Sequence, residues 1–167
     1  TRWVEKQFEG NEVLRKRFFP KIYKTGDTVT VGERSYKLVV TYEDRKTFGA
    51  NLKDNIIYLK LVKDAHPFAL NKSIKTLLSR VIGKHFHPEI AKRVQTLNQV
   101  HFQKDIKSVN LKYNSSNWGS CSTRGNINLS TRLLFAPNDV IDYVIIHELT
   151  HLLEMNHSPK FWKLVKA

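Results

Sequence analysis

The stretch HELTHLLEMNH, residues 147–157, holds three histidines and two glutamates directly after the apolar run VIDYVII. His147 and His151 are four apart, so on a helix their imidazoles stack on one side. Glu148 lies about 100° from His147 and about 60° from His151 around the same axis. The result is a narrow polar stripe on a greasy rod, and buried polar groups need partners. A divalent metal is such a partner. Two neutral imidazoles ligate it, and the carboxylate next to the first holds a water as general base, which is the logic of H-E-x-x-H. The chemistry is metal-assisted hydrolysis: the ion lowers its water's pKa to about 7 and polarises a scissile carbonyl. Glu148 takes the water's proton and later passes one to a leaving amine.

Catalytic zinc usually takes three protein ligands and keeps one position open. His157, six residues beyond His151, is the expected third. The helix must end for that ring to swing back. Asn156 is read as a left-handed terminator and Pro159 as a barrier to continuation. The H-E-x-x-H-x5-H spacing resembles the metzincins, with Glu154 where they carry glycine, so the turn is expected to differ. Glu154 is the second-choice ligand. The reading is one Zn²⁺ on His147, His151 and His157, with Glu148 catalytic. A satisfied core histidine pair and a structural zinc are the rivals, and a spare base beside a closed four-ligand site has no purpose. The oxyanion-stabilising group is open among Tyr113, His101 and the backbone amides of NWGSCS.

The elements that must position these residues follow from periodicity. Pro137, Asn138 and Asp139 open a helix expected over about 138–155, with an acid near its positive end. Its apolar residues spread nearly all round, which marks a buried helix. Before it, Val109, Leu111 and Tyr113, then Ile127 and Leu129, alternate as two strands around a Ser/Asn/Gly-rich connection. Ile74, Leu77, Leu78, Val81 and Ile82 predict one helix, and Ile90, Val94, Leu97 and Val100 a second, with Pro88 interrupting. Residues 26–63 read as three or four short antiparallel strands. EVLRKRFF predicts a helix before Pro20. Two regions result: an N-terminal β-rich region over 1–65 and a site-bearing domain over 66–167.

Composition bounds the partners. The 167 residues carry a net charge of +13, and 41% are hydrophobic. Nine Lys/Arg against two acids fall within 72–112. That balance favours acidic partners, nucleic acid above all, although a basic solvated face gives the same count. No stretch approaches the roughly 18 apolar residues of a membrane span. The opening TRWVEKQFEGNEVLRKRFF lacks the pattern of a secretory leader. Cys121 is the only cysteine, which excludes an internal disulfide or a multi-thiolate zinc site and fits a cytoplasmic setting. The chain stops ten residues after His157, where a closing element is expected to follow. Oligomeric state is not encoded in any pattern here.

Several stretches together resemble one family: Trp118–Cys121 (WGSC), Gly125–Leu129 (GNINL), Pro137–Val144 (PNDVIDYV), His147–His151 (HELTH) and Asn156–Trp162 (NHSPKFW). They resemble the YgjP-like metallopeptidases, metal-dependent hydrolases related to the SprT-like and Wss-like (WLM) zincins, over roughly residues 97–165. The resemblance implies zinc on His147, His151 and His157, and Glu148 as base. It implies an α+β, minimal zincin-like fold of helices plus a small antiparallel sheet, to which the alternation over residues 26–63 adds an N-terminal β-rich annex. An edge strand near the cleft would take extended peptide by main-chain hydrogen bonding. Trp118, Asn126 and Asn128 are its substrate-binding candidates, with Trp118 and Trp162 otherwise expected as wall and core residues. Cys121 is expected to pack as a small hydrophobe, and His66, His85, His87 and His101 to be ordinary histidines. The function expected is a zinc peptidase acting on peptide or protein. The alternatives are a nucleic-acid-associated protein with structural zinc, or a protease of DNA-bound proteins.

Overall fold

A computed structural model of the chain describes residues 23–166; the helix expected within EVLRKRFF lies outside them. The described residues divide into two compact units, one ending at Ile82 and the other beginning at Gly83.

The first unit carries a four-stranded sheet in the order β1-β2-β4-β3. Its strands are β1 (Thr28–Val31), β2 (Arg34–Glu43), β3 (Gly49–Lys53) and β4 (Ile56–Val62). Four strands match the alternation, but the sheet is mixed rather than antiparallel, since β2 and β4 run parallel. Hydrophobic alternation reads the same in either direction, so it carries no information on strand polarity. The inward set is Tyr36, Leu38, Ile57, Leu59 and Leu61, each at most 1% exposed.

A single α-helix, α1 (Pro67–His101), replaces the two helices expected on either side of Pro88. Pro88 removes one backbone donor and is exposed, so its ring costs no core packing. The buried row Ile82, Phe86, Ile90 and Val94 continues through it. Burying each such side chain is worth about 1.5–3 kcal/mol, enough together to offset the roughly 3 kcal/mol of an internal proline. Among the described residues no helix is long and apolar enough to cross a membrane.

The second unit holds a three-stranded sheet in the order β5-β7-β6, from β5 (Ser108–Lys112), β6 (Gly119–Cys121) and β7 (Asn126–Ser130). β6 and β7 are antiparallel across a turn at Ser122–Gly125, while β5 and β7 are parallel. The expected pair of strands therefore becomes three, because the Ser/Asn/Gly connection contains β6. Gly125 closes the turn at φ +74°, where a Cβ would also stand 2.7 Å from the Asp105 carbonyl oxygen. Ile127 and Leu129 are buried on one face of this sheet. A 3₁₀ helix (Thr131–Phe135) leads into α2 (Asn138–Thr150), which packs against β6, β7 and the short α3 (Pro159–Val165). The architecture is α+β, as the sequence predicts.

Candidate metal centre

α2 ends at Thr150, earlier than the expected 155. The reason is local. Backbone N–H groups of His151, Leu152 and Leu153 bond to carbonyls three residues back, at 3.2, 2.9 and 2.9 Å, so the last turn tightens before the chain leaves. Asn156 does not adopt positive φ; the helix needs no left-handed terminator because the tightened turn already satisfies its carbonyls. Ser158 then caps α3, its hydroxyl accepting from the Phe161 N–H at 3.3 Å, with Pro159 in the first turn. His157 sits just before that cap and is thereby returned to the end of α2.

The three histidines converge. One ring nitrogen from each of His147, His151 and His157 lies within 4.8 Å of the others. His147 Nε2 and His157 Nε2 face each other at 3.1 Å. Two nitrogens bound tetrahedrally at about 2.0–2.1 Å to one zinc stand about 3.3 Å apart. His151 Nδ1 lies 3.3 Å from the Glu154 carbonyl oxygen; donation there leaves Nε2 as the free donor. The fully buried Phe161 ring lies beneath all three, its centroid 4.9 Å from His147 and 4.7 Å from each of the other two. Trp162 stacks on His157 at 5.6 Å. The aromatic floor fixes the rings by packing, so the cluster is preorganised.

Electrostatics suit a cation. Burial pushes His147 down to about 4, with His151 and His157 adding repulsion to its protonated form. Burial also lowers His151. Both imidazoles are neutral at pH 7 and offer lone pairs. Burial pushes Glu148 up to about 7; its side chain is 6% exposed. His147 Nδ1 is buried with no hydrogen-bond partner among the described residues. Converging neutral imidazoles, one of them so poorly partnered, fit a borderline-soft divalent metal.

Glu148 is held against β6. A Cβ on Gly119 would lie 2.7 Å from Glu148 Oε1 and Cγ, so the carboxylate fills space that any other residue type would occupy. Sequence reasoning did not single out Gly119; the signal was the glycine inside WGSC. Among the described residues β6 bonds to β7 on one side only. Ser122 N–H donates to the Asn126 carbonyl and Ser130 N–H to the Trp118 carbonyl. By strand alternation Ser120 also points its backbone groups at β7, and those of Gly119 and Cys121 point to the unpaired edge.

A cavity of about 300 Å³ opens on this arrangement, lined by the three histidines, Glu148, Met155 and residues 117–121. Trp118 is therefore a wall of the site. Asn126 and Asn128 do not line it. They lie on the sheet face opposite the buried Ile127 and Leu129 and bond to Ser108 (2.9 Å), Ser122 (3.1 Å), Asn110 (3.3 Å) and Ser120 (3.3 Å). Glu154 is not among the converging donors; its carboxylate reaches Lys160 at 3.7 Å. Tyr113 and His101 are exposed and do not line the cavity, whereas the residues of NWGSC do. His87 spends Nε2 on the Val109 carbonyl at 2.8 Å, an ordinary structural bond.

α2 is anchored from α1. The Arg93 guanidinium grips the Asp142 carboxylate with two nitrogens, at 2.5 and 2.8 Å. It also donates to the Asn138 side chain at 2.9 Å and the Asn138 carbonyl at 3.0 Å. Four bonds from one side chain thus fix the start of the helix that carries His147 and Glu148.

A sequence model of the family described as YgjP-like, metallopeptidase domain, matches residues 1–167. The likeness therefore runs past 97–165 and takes in the N-terminal region. No curated protein matches the chain. Among solved structures, it is similar to the crystal structure of the metallopeptidase zymogen of Pyrococcus abyssi abylysin. Identity is 22%, over 46% of this chain and 76% of that one, with a TM-score of 0.42.

Proposed function

The chain belongs to the YgjP-like metallopeptidase family and is a metal-dependent peptidase; on that premise we propose that it is a zinc peptidase with His147, His151 and His157 as ligands and Glu148 as general base. The convergence of three imidazole nitrogens within 4.8 Å, beside a buried carboxylate, carries the reading. When bound, zinc supplies a water of lowered pKa and polarises the scissile carbonyl.

The rest is the work of the chain. Glu148 Oε1, seated against the Cα of Gly119, accepts the proton of the attacking water and delivers one to the departing amine. A carboxyl whose pKa burial has raised to about 7 both takes and returns a proton near neutrality. Extended substrate adds to the edge of β6 that no described strand covers, where Gly119 and Cys121 present main-chain donors and acceptors. The scissile peptide then lies beside Glu148, because Gly119 touches both. Trp118 walls the cavity and excludes water from that side. Asn126 and Asn128 brace β7 against β5 and β6. A lone free cysteine fits a cytoplasmic setting.

A second reading, proteolysis of nucleic-acid-bound proteins, is favoured by the net charge of +13 and by exposed Lys84, Lys92, Lys104, Lys107 and Lys112 in the site-bearing unit. Binding of duplex DNA at near-physiological salt supports it, and absence of binding removes it.

The central test is zinc content by elemental analysis together with cleavage of a peptide library by wild type and Glu148→Gln. Stoichiometric zinc and loss of cleavage in the variant are expected. Equal turnover by both proteins rejects Glu148 as base.

A further inference from the structure

The geometry points to a subsite that selects one uncharged, apolar substrate side chain beside the scissile bond, with Met155 setting the selection. The inference rests on the peptidase reading and adds the class of substrate.

The cavity lining is the first observation. Apart from the three histidines and Glu148, it is built from Asn117, Trp118, Gly119, Ser120, Cys121 and Met155. Among the described residues no lysine, arginine or aspartate lines it, in a chain with 28 Lys and Arg. A charged substrate side chain entering there loses its hydration and finds no charged partner beyond Glu148 and the metal ligands, which the reaction itself occupies, so it is disfavoured. The volume of about 300 Å³ lies at the small end for ligand sites. It holds a side chain and its peptide unit, not a folded segment.

The two apolar walls differ in stiffness. Trp118 is fixed. The Arg132 guanidinium lies 4.3 Å over its ring, and the same arginine donates to the Ser115 carbonyl at 3.0 Å. Ser130 holds the backbone on both sides, its N–H on the Trp118 carbonyl at 2.8 Å and its hydroxyl on the Asn114 carbonyl at 2.9 Å. Met155 is the opposite case, an unbranched thioether 46% exposed at the cavity. Methionine reshapes readily around varied apolar partners. One rigid aromatic wall and one adaptable wall in the same cavity accept leucine, methionine and phenylalanine alike, without demanding one shape.

The experiment uses the zinc-loaded full chain and internally quenched peptides varied singly on each side of the scissile bond. On one side, leucine, methionine or phenylalanine is expected to exceed aspartate and lysine by about 30-fold or more in kcat/KM. Met155→Leu should keep that profile. Met155→Lys, at confirmed zinc content, should cut apolar substrates about 10-fold and bring aspartate peptides level with them. Met155→Gln should narrow the ratio in the same direction if the lysine variant does not fold. A flat or charge-preferring profile in wild type, or an unchanged profile in the polar variants, overturns the subsite while leaving the peptidase reading intact. Absence of zinc-dependent cleavage of every peptide overturns the reading and the subsite with it.

Discussion

The Cβ that Gly119 lacks would stand 2.7 Å from Glu148 Oε1, so the edge strand and the proposed general base share one volume. Real Cβ atoms do not approach that closely, and the neighbour here is a buried carboxylate with little room to retreat. Gly119→Ala should therefore displace Glu148 rather than unfold β6. Moving a catalytic group by about 1 Å costs on the order of 100-fold in rate. Overpacking costs about 1–3 kcal/mol of stability. Single-turnover cleavage with urea unfolding in parallel separates these effects. Near-wild-type kcat in a folded Gly119→Ala protein would show that Glu148 can act from elsewhere.

What was legible in the chain was chemistry close in sequence. His147, Glu148 and His151 stand out because helical spacing alone brings them together, and His157, expected from the ligand count of zinc, converges with the other two histidines. Gly119 was silent because its contribution is an absent side chain facing a residue far along the chain. The direction of β5 against β7 was equally silent, since a period of two survives reversal. Pro88 marks a break only locally, because the buried row Ile82, Phe86, Ile90 and Val94 holds α1 together across it. The early end of α2 at Thr150 depends on backbone bonds that no side-chain pattern announces.

Arg93 and Asp142 tie α2 to α1, and the fork of the guanidinium is what the tie uses. Both side chains are part-exposed, so screening reduces their worth. Arg93→Met should cost about 1–2 kcal/mol in urea unfolding. It should also weaken zinc binding, since the start of the ligand helix loses its anchor. Arg93→Lys should recover little, because an ammonium cannot bridge two carboxylate oxygens and the Asn138 acceptors together. Full zinc affinity in both variants would confine Arg93 to general stability.

Glu148 makes the metal-free protein pH-sensitive with a definite sign. Its folded pKa is about 7 against an ordinary 4.5, so the folded state binds the proton more tightly than the unfolded. The cost of ionising it is absent below about pH 4.5, grows as pH rises, and is complete above about pH 7. Chelator-treated Glu148→Gln should be more stable than chelator-treated wild type by up to about 3 kcal/mol at pH 8. The gap should narrow to under about 1 kcal/mol at pH 5. Both proteins keep His147, whose lowered pKa destabilises them alike below pH 6.5, so the difference isolates the carboxyl. Urea denaturation at the two pH values reads it; a gap that widens toward acid contradicts the burial of Glu148.

Cys121 lies in the same wall, and its environment makes it a poor nucleophile. Burial pushes the thiol up to about 11, and the neighbouring Glu148 charge adds to the shift. The thiolate is the reactive form, and the ordinary value from which burial raises this thiol is 9.0. At pH 7.5 the thiolate fraction of Cys121 is then smaller by a factor of about 100. Iodoacetamide should label the folded, metal-free protein at least about 100-fold more slowly than the urea-unfolded chain, as followed by mass spectrometry. Glu148→Gln should speed the reaction modestly by removing the neighbouring charge, while burial keeps it slow. Labelling as fast as in the unfolded chain would mean that the thiol stands in water and that the wall beside Glu148 is open.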